Sequence, residues 1–221
     1  MRGERGCCFL YLAPERFGQV SSRIFSALDC FFSSFPADGT CLEGFGYWHY
    51  GFGEFVWFAD LLRQFTDGKT DLLENPKAER IAGFAQRCFL AGGATVSFSD
   101  GEREGKLSLE LAHFLAARYP ESVSLPPPAF TAPTRGNLGW HKASRLLLCF
   151  DPSLKSRPLP QRDYFSPDAG QAVIRRPAYS LAVKAGHNGE PHNHNDAGSF
   201  ILSTKCGQVI ADLGAGLYTK D

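Results

Sequence analysis

Apolar residues recur every three or four positions through the first two thirds of the chain. Such positions lie on one face of a helix, so the pattern predicts amphipathic helices. Pro36-Ala37-Asp38-Gly39 and Asp67-Gly68 have the turn composition expected where two of them end. The predicted helices cover residues 21–35, 52–65, 76–91, 107–117 and 140–150. They follow one another with no predicted strand between them, which favours a layer of packed helical hairpins.

The pattern changes after a proline-rich stretch that includes Pro158 and Pro160. From there the apolar positions alternate with polar ones, as in half-buried strands. The predicted strands cover residues 172–175, 179–185, 199–204 and 208–212. We therefore expect an unassigned segment at 1–20, a helical domain at 21–160 and a β domain at 161–221. So few strands leave sheet edges and one apolar face uncovered, so the β domain is expected to be the start of a larger one.

Composition excludes several broad classes of protein. The 23 basic and 23 acidic residues cancel, so no global field would attract nucleic acid or other polyanions. The chain contains no run of about 18 apolar residues, so the sequence predicts no membrane span. Seven cysteines without a C-x-x-C pair do not predict a zinc ribbon or a full disulfide framework. The N-terminus has only a short apolar run, and Glu4 lies in what would be the basic region of a signal peptide.

Histidines are concentrated in the segment KAGHNGEPHNHNDAGSF, residues 184–200. If this stretch is extended, His192 and His194 leave the same face, because side chains two apart do so in a strand. Imidazoles at that spacing could ligate a metal or hold an anionic substrate. Asp212, on the next strand of a predicted hairpin, could meet His194. The alternative is a polar loop whose side chains cap turns, and Asp196 is interpreted as a turn-former or an orienter of a histidine.

A second group of chemically useful side chains lies in EGFGYWHYGFG, residues 43–53. Its glycines would let backbone and ligand approach closely at a helix start on the wall of a cleft. A tyrosine hydroxyl can act as general acid or base if positive charge lowers its pKa from about 10. The alternative is that these aromatic side chains cap a helical core.

Together, the two segments resemble the heparinase II/III-like polysaccharide lyases. The resemblance rests on EGFGYWHYGFGEF and on HNHNDAGSF followed by a short hairpin that ends in D-x-G, and it extends unevenly over residues 22–221. It implies an α/α toroid of helical hairpins followed by an antiparallel β-sandwich, with the active site in the cleft between them. On this basis the chain is expected to hold an incomplete toroid and the start of the sandwich, as a fragment.

The resemblance also implies a chemistry, β-elimination across C4–C5 of a uronic acid, which makes the protein a carbon–oxygen lyase. Tyr47 matches the catalytic tyrosine and would be the general acid/base, and His192 matches the assisting histidine. The substrate would be an acidic polysaccharide such as a glycosaminoglycan or alginate. Relatives are commonly periplasmic, in the cell envelope or secreted.

Further matches concern the cleft and a metal ion. Glu43, Trp48 and Tyr50 would line the substrate cleft. His194 and Asp212 match ligands of a divalent ion, usually zinc, with a third ligand beyond Asp221. No organic cofactor is expected.

The sequence is compatible with several functions besides a lyase. The family places an asparagine or histidine upstream of the tyrosine to neutralise the substrate carboxylate, and residues 1–20 contain no matching segment. A uronate C5-epimerase would use nearly the same residues as a lyase. A non-catalytic glycan-binding relative and an inactive chain also fit the motifs. A metal-dependent hydrolase fits less well, because the motifs lack the extra carboxylates and histidines that such metal sites usually contain.

Overall fold

The computed structural model describes residues 10–133, 140–192 and 194–214. Helices occupy most of the chain up to residue 149, and strands follow. Residues 1–9, which belong to the N-terminal segment considered as a signal peptide, lie outside the described residues. The α-helices are α1 (Pro14–Ser33), α2 (Phe45–Tyr47), α3 (Gly53–Phe65), α4 (Pro76–Ala82), α5 (Phe84–Cys88), α6 (Leu109–Arg118) and α7 (Trp140–Cys149).

The five predicted helices are all present, with altered ends. The first begins earlier, because Pro14 occupies its first turn, where a missing N–H costs nothing. The third is divided at Gly83 into α4 and α5. The expectation of no strands between the helices is wrong in one place. The strands β1 (Leu107–Ser108) and β2 (Thr131–Ala132) form a short parallel pair.

A five-stranded antiparallel sheet follows the helices, with its strands in sequence order. The structure thus confirms the predicted order of helices first and strands second. The first strand was missed, because three residues ahead of Pro167 are too few to show alternation. The strands are β3 (Tyr164–Ser166), β4 (Gln171–Arg175), β5 (Tyr179–Lys184), β6 (Phe200–Thr204) and β7 (Gly207–Ile210).

The two faces of this sheet differ in what covers them. Val173, Ala182 and Ile201 are paired across three strands and are buried against the helices in the main hydrophobic core. The neighbouring row, one residue along each strand, points the other way. This outer row runs from Phe165, which is 70% exposed, to Phe200, which is 45% exposed. The sheet therefore has one face packed on helices and one apolar face open to solvent.

Arg175 fastens the inner face of the sheet to the helical layer. Its guanidinium is buried and donates hydrogen bonds to the carbonyl oxygens of Gln86, Arg87 and Phe89, at 3.1, 2.9 and 2.9 Å. These carbonyls lie at the end of α5, where a helix has no internal donors left. The division into domains at residue 160 remains a prediction, because buried residues from both sides share one core.

A close backbone approach between Gly92 and Thr204 of β6 allows a stability test of the contact between the helical layer and the sheet. A Cβ atom at Gly92 would overlap the carbonyl oxygen of Thr204, whereas one at Gly93 would meet nothing within 4 Å. Both residues have positive φ, so Gly93→Ala should cost about 1 kcal/mol of backbone strain. Gly92→Ala should cost roughly 1–3 kcal/mol more, since the backbone must move. Urea unfolding of the two variants measures the difference, and equal losses would contradict the close approach.

Among the described residues, no helix is long and apolar enough to cross a membrane.

Candidate active site

Tyr47 lies at the entrance of a continuous helical run that passes through a π-helical turn. Gly44 precedes it with φ of 90°, a conformation that favours glycine. α2 ends at Tyr47, and the π-helix Trp48–Phe52 connects it to α3. The π-helical geometry is rare and is often found at functional sites. Tyr47, directly before this turn, is 38% exposed.

The structure separates the three residues expected to line a cleft. Tyr50 is 55% exposed, and the side chain of Glu43 is 38% exposed, so both can meet a ligand. The expectation for Trp48 is wrong, because its side chain is fully buried. Its indole N–H donates to the carbonyl oxygen of Ile81 at 2.8 Å, and its ring stacks on Phe52. Trp48 is therefore a core residue whose polar atom has a partner, as buried indoles usually do.

The histidine-rich segment is a loop between β5 and β6, as in the alternative interpretation of the sequence, and it is not an extended stretch. His192 and Asn195 have φ of 54° and 57°, in the left-handed region that few residues other than glycine adopt. A chain that turns at both positions folds back on itself. His192 and His194 therefore approach the helical layer from a compact loop and not from one face of a strand.

Tyr47 and His192 meet across the junction of helices and sheet. Their ring centroids lie 4.1 Å apart, and the planes are inclined by 29°, which is a stacked arrangement. The two residues are far apart in sequence and come from the two segments that carry the resemblance. Tyr47 is 38% exposed as a residue and the side chain of His192 is 31% exposed, so both are accessible to a ligand.

Asp100 holds both histidines and was not identified from the sequence. Its Oδ2 lies 2.6 Å from Nδ1 of His192, and its Oδ1 lies 2.8 Å from Nε2 of His194. The carboxylate is mostly buried, with a side-chain exposure of 15%. On the other side of the His192 ring, Nε2 lies 3.6 Å from Oε2 of Glu43, which is too long for a hydrogen bond. Among the described residues, His192 thus has a short contact through Nδ1, whereas Nε2 has only the longer contact with Glu43.

The predicted metal ligands do not form a metal site by themselves. Asp212 accepts hydrogen bonds from Ser199 Oγ at 3.0 Å and from the backbone N–H of Gly214 at 2.8 Å. The expected contact between Asp212 and His194 is replaced by the pairing of His194 with Asp100. Nδ1 of His194 is buried and has no hydrogen-bond partner among the described residues. Within those residues, no group of three or more His, Cys, Asp or Glu side chains could hold a metal ion.

A buried charge cluster anchors the histidine loop to the end of β5. Lys184 is fully buried, and its Nζ lies 2.8 Å from Oδ1 of Asp196 and 3.1 Å from Oε2 of Glu190. Burial opposes ionisation of Asp196, but the hydrogen bond and charge of Lys184 outweigh it and lower the pKa of Asp196 below its usual value. The interpretation of Asp196 as structural agrees with this position. It holds a lysine, however, and not a histidine.

The same cluster reaches the loop that carries Asp100. Ser99 has φ of 55°, its backbone N–H donates to Asp196 at 3.4 Å, and its Oγ accepts from Lys184 at 3.3 Å. The only sequence feature that could have indicated this loop is the turn dipeptide Asp100-Gly101. The histidines that contact Asp100 lie more than 90 residues away in sequence, and no local pattern connects them with it.

The part of the chain that carries the histidine loop matches a known family. Residues 159–221 match the family model described as Heparinase II/III-like, C-terminal. This part of the chain is similar to the C-terminal domain of that family. The resemblance noted from the motifs is thereby confirmed over the strands, the histidine loop and Asp212. No curated protein matches the chain.

Proposed function

We propose that this protein is a polysaccharide lyase that cleaves uronic-acid-containing glycans by β-elimination. The observation that carries the proposal is the stacking of Tyr47 on His192, at 4.1 Å between ring centroids. Two side chains suited to proton transfer come from different parts of the fold, lie in contact and are both partly exposed. The heparinase II/III-like match covers the segment that supplies the histidine and supports the choice of a glycan as substrate.

The proposed reaction needs one proton removed and one proton supplied. A base takes the proton from C5 of the uronate, and the C5–H electron pair becomes the C4–C5 double bond. The C4–O bond breaks with its electron pair on the leaving oxygen, which takes a proton from the acid. Tyr47 is the proposed general acid/base, and His192 assists through Nε2, the nitrogen not bonded to Asp100. General acid–base catalysis of this kind contributes about 10²–10⁴-fold to a rate.

The surroundings of the ring pair suit a sugar ring. Tyr50 is more than half exposed on the same π-helical turn and offers a flat face to a pyranose. Glu43 borders His192 and can accept hydrogen bonds from sugar hydroxyls. We propose that both residues line the substrate cleft, whereas the buried Trp48 does not.

The open apolar face of the sheet supports a sandwich architecture. The exposed row from Phe165 to Phe200 is apolar, as is usual for residues that face a second sheet. We propose that a second sheet covers this face in a β-sandwich and that the helical hairpins belong to an α/α toroid. A location in the cell envelope, in the periplasm or outside the cell is proposed with the family.

A divalent ion remains a proposal that needs a third ligand beyond the two predicted ones. His194 offers a buried Nδ1 without a partner, while its Nε2 pairs with Asp100, as second-shell carboxylates do for metal-bound histidines. Structural zinc sites use four protein ligands and catalytic sites three. We expect His194→Ala to lower the zinc bound per chain by at least about tenfold in plasma mass spectrometry after dialysis. Equal zinc in the wild type and the variant would exclude His194 as a ligand.

The decisive experiment follows ultraviolet absorbance of the 4,5-unsaturated uronate. The purified protein is incubated with a panel containing heparin-like glycans, chondroitin, dermatan, hyaluronan and alginate. Absorbance that rises with one glycan would identify both the reaction and the substrate. A protein that gives no absorbance but inverts C5, seen by proton NMR of the glycan, would be an epimerase. Binding without either change would identify a non-catalytic glycan-binding relative.

A further inference from the structure

Asp100 is placed to control which nitrogen of each histidine carries a proton. A carboxylate only accepts hydrogen bonds, so the ring nitrogens that face it are the protonated ones. Carboxylate oxygens of Asp100 lie 2.6 Å from Nδ1 of His192 and 2.8 Å from Nε2 of His194, and two unprotonated acceptors at such distances would repel each other, which favours a proton on each of these nitrogens. A neutral imidazole carries a single ring proton, so the opposite nitrogen of each ring is then a lone-pair acceptor.

We propose that Asp100 is a positioning residue that fixes His192 as its Nδ1–H tautomer and aims the unprotonated Nε2 at the candidate cleft. The catalytic part of this inference rests on the proposed function, since only a reaction needs Nε2 as an acceptor. One carboxylate fixes both rings of the H-x-H segment in opposite tautomers. The two histidines therefore differ in role although they are two residues apart.

Glu43 does not compete for this role. It faces the other nitrogen of His192 at 3.6 Å, beyond hydrogen-bond distance, and its side-chain exposure is 38% against 15% for Asp100. An exposed carboxylate at that distance has a weak interaction, because water screens its charge. The short, shielded contact with Asp100 decides the tautomer.

The backbone around Asp100 holds its carboxylate in place. Ser99 adopts a left-handed conformation and is tied to Asp196 through its N–H. Gly101 has backbone neighbours so close that a Cβ atom there would lie 2.9 Å from the carbonyl oxygen of Val96. Asp100 thus sits on a turn fixed on both sides, as a positioning group requires.

Nitrogen-15 NMR of the imidazole rings tests the inference without any assay of activity. Spectra are recorded at about pH 8.5, two units above the usual histidine pKa. His192 is assigned from the resonances that disappear in His192→Gln. We expect wild-type His192 to have a protonated Nδ1 and an unprotonated Nε2. Asp100→Asn and Asp100→Ala should shift it towards the Nε2–H tautomer, and Glu43→Gln should leave it unchanged.

Kinetics test the catalytic consequence separately. Asp100→Asn should lower kcat about 10- to 100-fold with KM within about twofold, as for other groups that orient a histidine. A wild-type His192 protonated on Nε2, or a tautomer indifferent to Asp100, would overturn the inference, and the wild-type spectrum decides this even if the variants do not fold. A shifted tautomer with unchanged kcat would overturn the catalytic part. If the wild type acts on no glycan, the proposed function fails while the spectrum still decides the role of Asp100.

Discussion

Tyr47→Phe should abolish most product formation, with a loss of about 10²–10⁴-fold in kcat on the glycan that the wild type cleaves. The substitution removes one oxygen and keeps the ring that stacks on His192. Substrate binding and the packing of the ring pair should therefore survive, whereas the proton for the leaving oxygen has no donor. The measurement is the initial rate of ultraviolet absorbance from the unsaturated uronate.

Tyr179→Phe is the matched control for this prediction. Its side chain has the same exposure of 38% as that of Tyr47, but it lies at the start of β5, away from the histidine loop. Both variants lose one phenolic oxygen from a partly exposed tyrosine. Equal activity of Tyr47→Phe and wild type would exclude Tyr47 as the acid/base, because a proton donor cannot be replaced by a phenyl ring.

The order of elements could be predicted from sequence because it depends on local periodicity. β4, β5 and β6 were found within a residue or so, since their residues alternate between the helical layer and the open face. β1 and β2 were missed, because two residues cannot show a period. Their pairing is a long-range contact between Leu107 and Thr131 that only the folded chain creates.

The candidate site divides in the same way. Tyr47 and His192 could be proposed as site residues because each lies in a dense, recognisable motif, and their roles stay predictions. Trp48 was misassigned, because a motif fixes which residues are neighbours in sequence but not which way each side chain points. In a helical run, adjacent residues point about 100° apart, so Tyr47 can reach solvent while Trp48 fills the core. Asp100 has no motif and became visible only through its contacts with both histidines.

The largest stability effect is expected from Lys184→Met. The substitution keeps a long unbranched side chain but leaves Glu190 and Asp196 without a cation, at side-chain exposures of 3% and 6%. Removing one partner of a buried ionic group costs about 3–5 kcal/mol, because the remaining charge is desolvated and uncompensated. The free energy of unfolding in urea should fall by that amount. Lys205→Met, in the exposed turn between β6 and β7, is the control and should change it by less than about 0.5 kcal/mol.

The pH dependence distinguishes lost charge pairing from lost packing. The pKa of Asp196 is lowered in the folded protein, so its contribution is present above the unfolded pKa of about 4 and is lost as pH falls through the folded pKa. In Lys184→Met the two carboxylates lack a counter-charge, so protonation relieves the folded state. The stability gap between variant and wild type should therefore narrow between about pH 7 and pH 4. A gap that stays constant over this range would mean that Lys184 acts through packing alone. The histidine loop would then be held mainly by its contacts with Asp100 and Ser99.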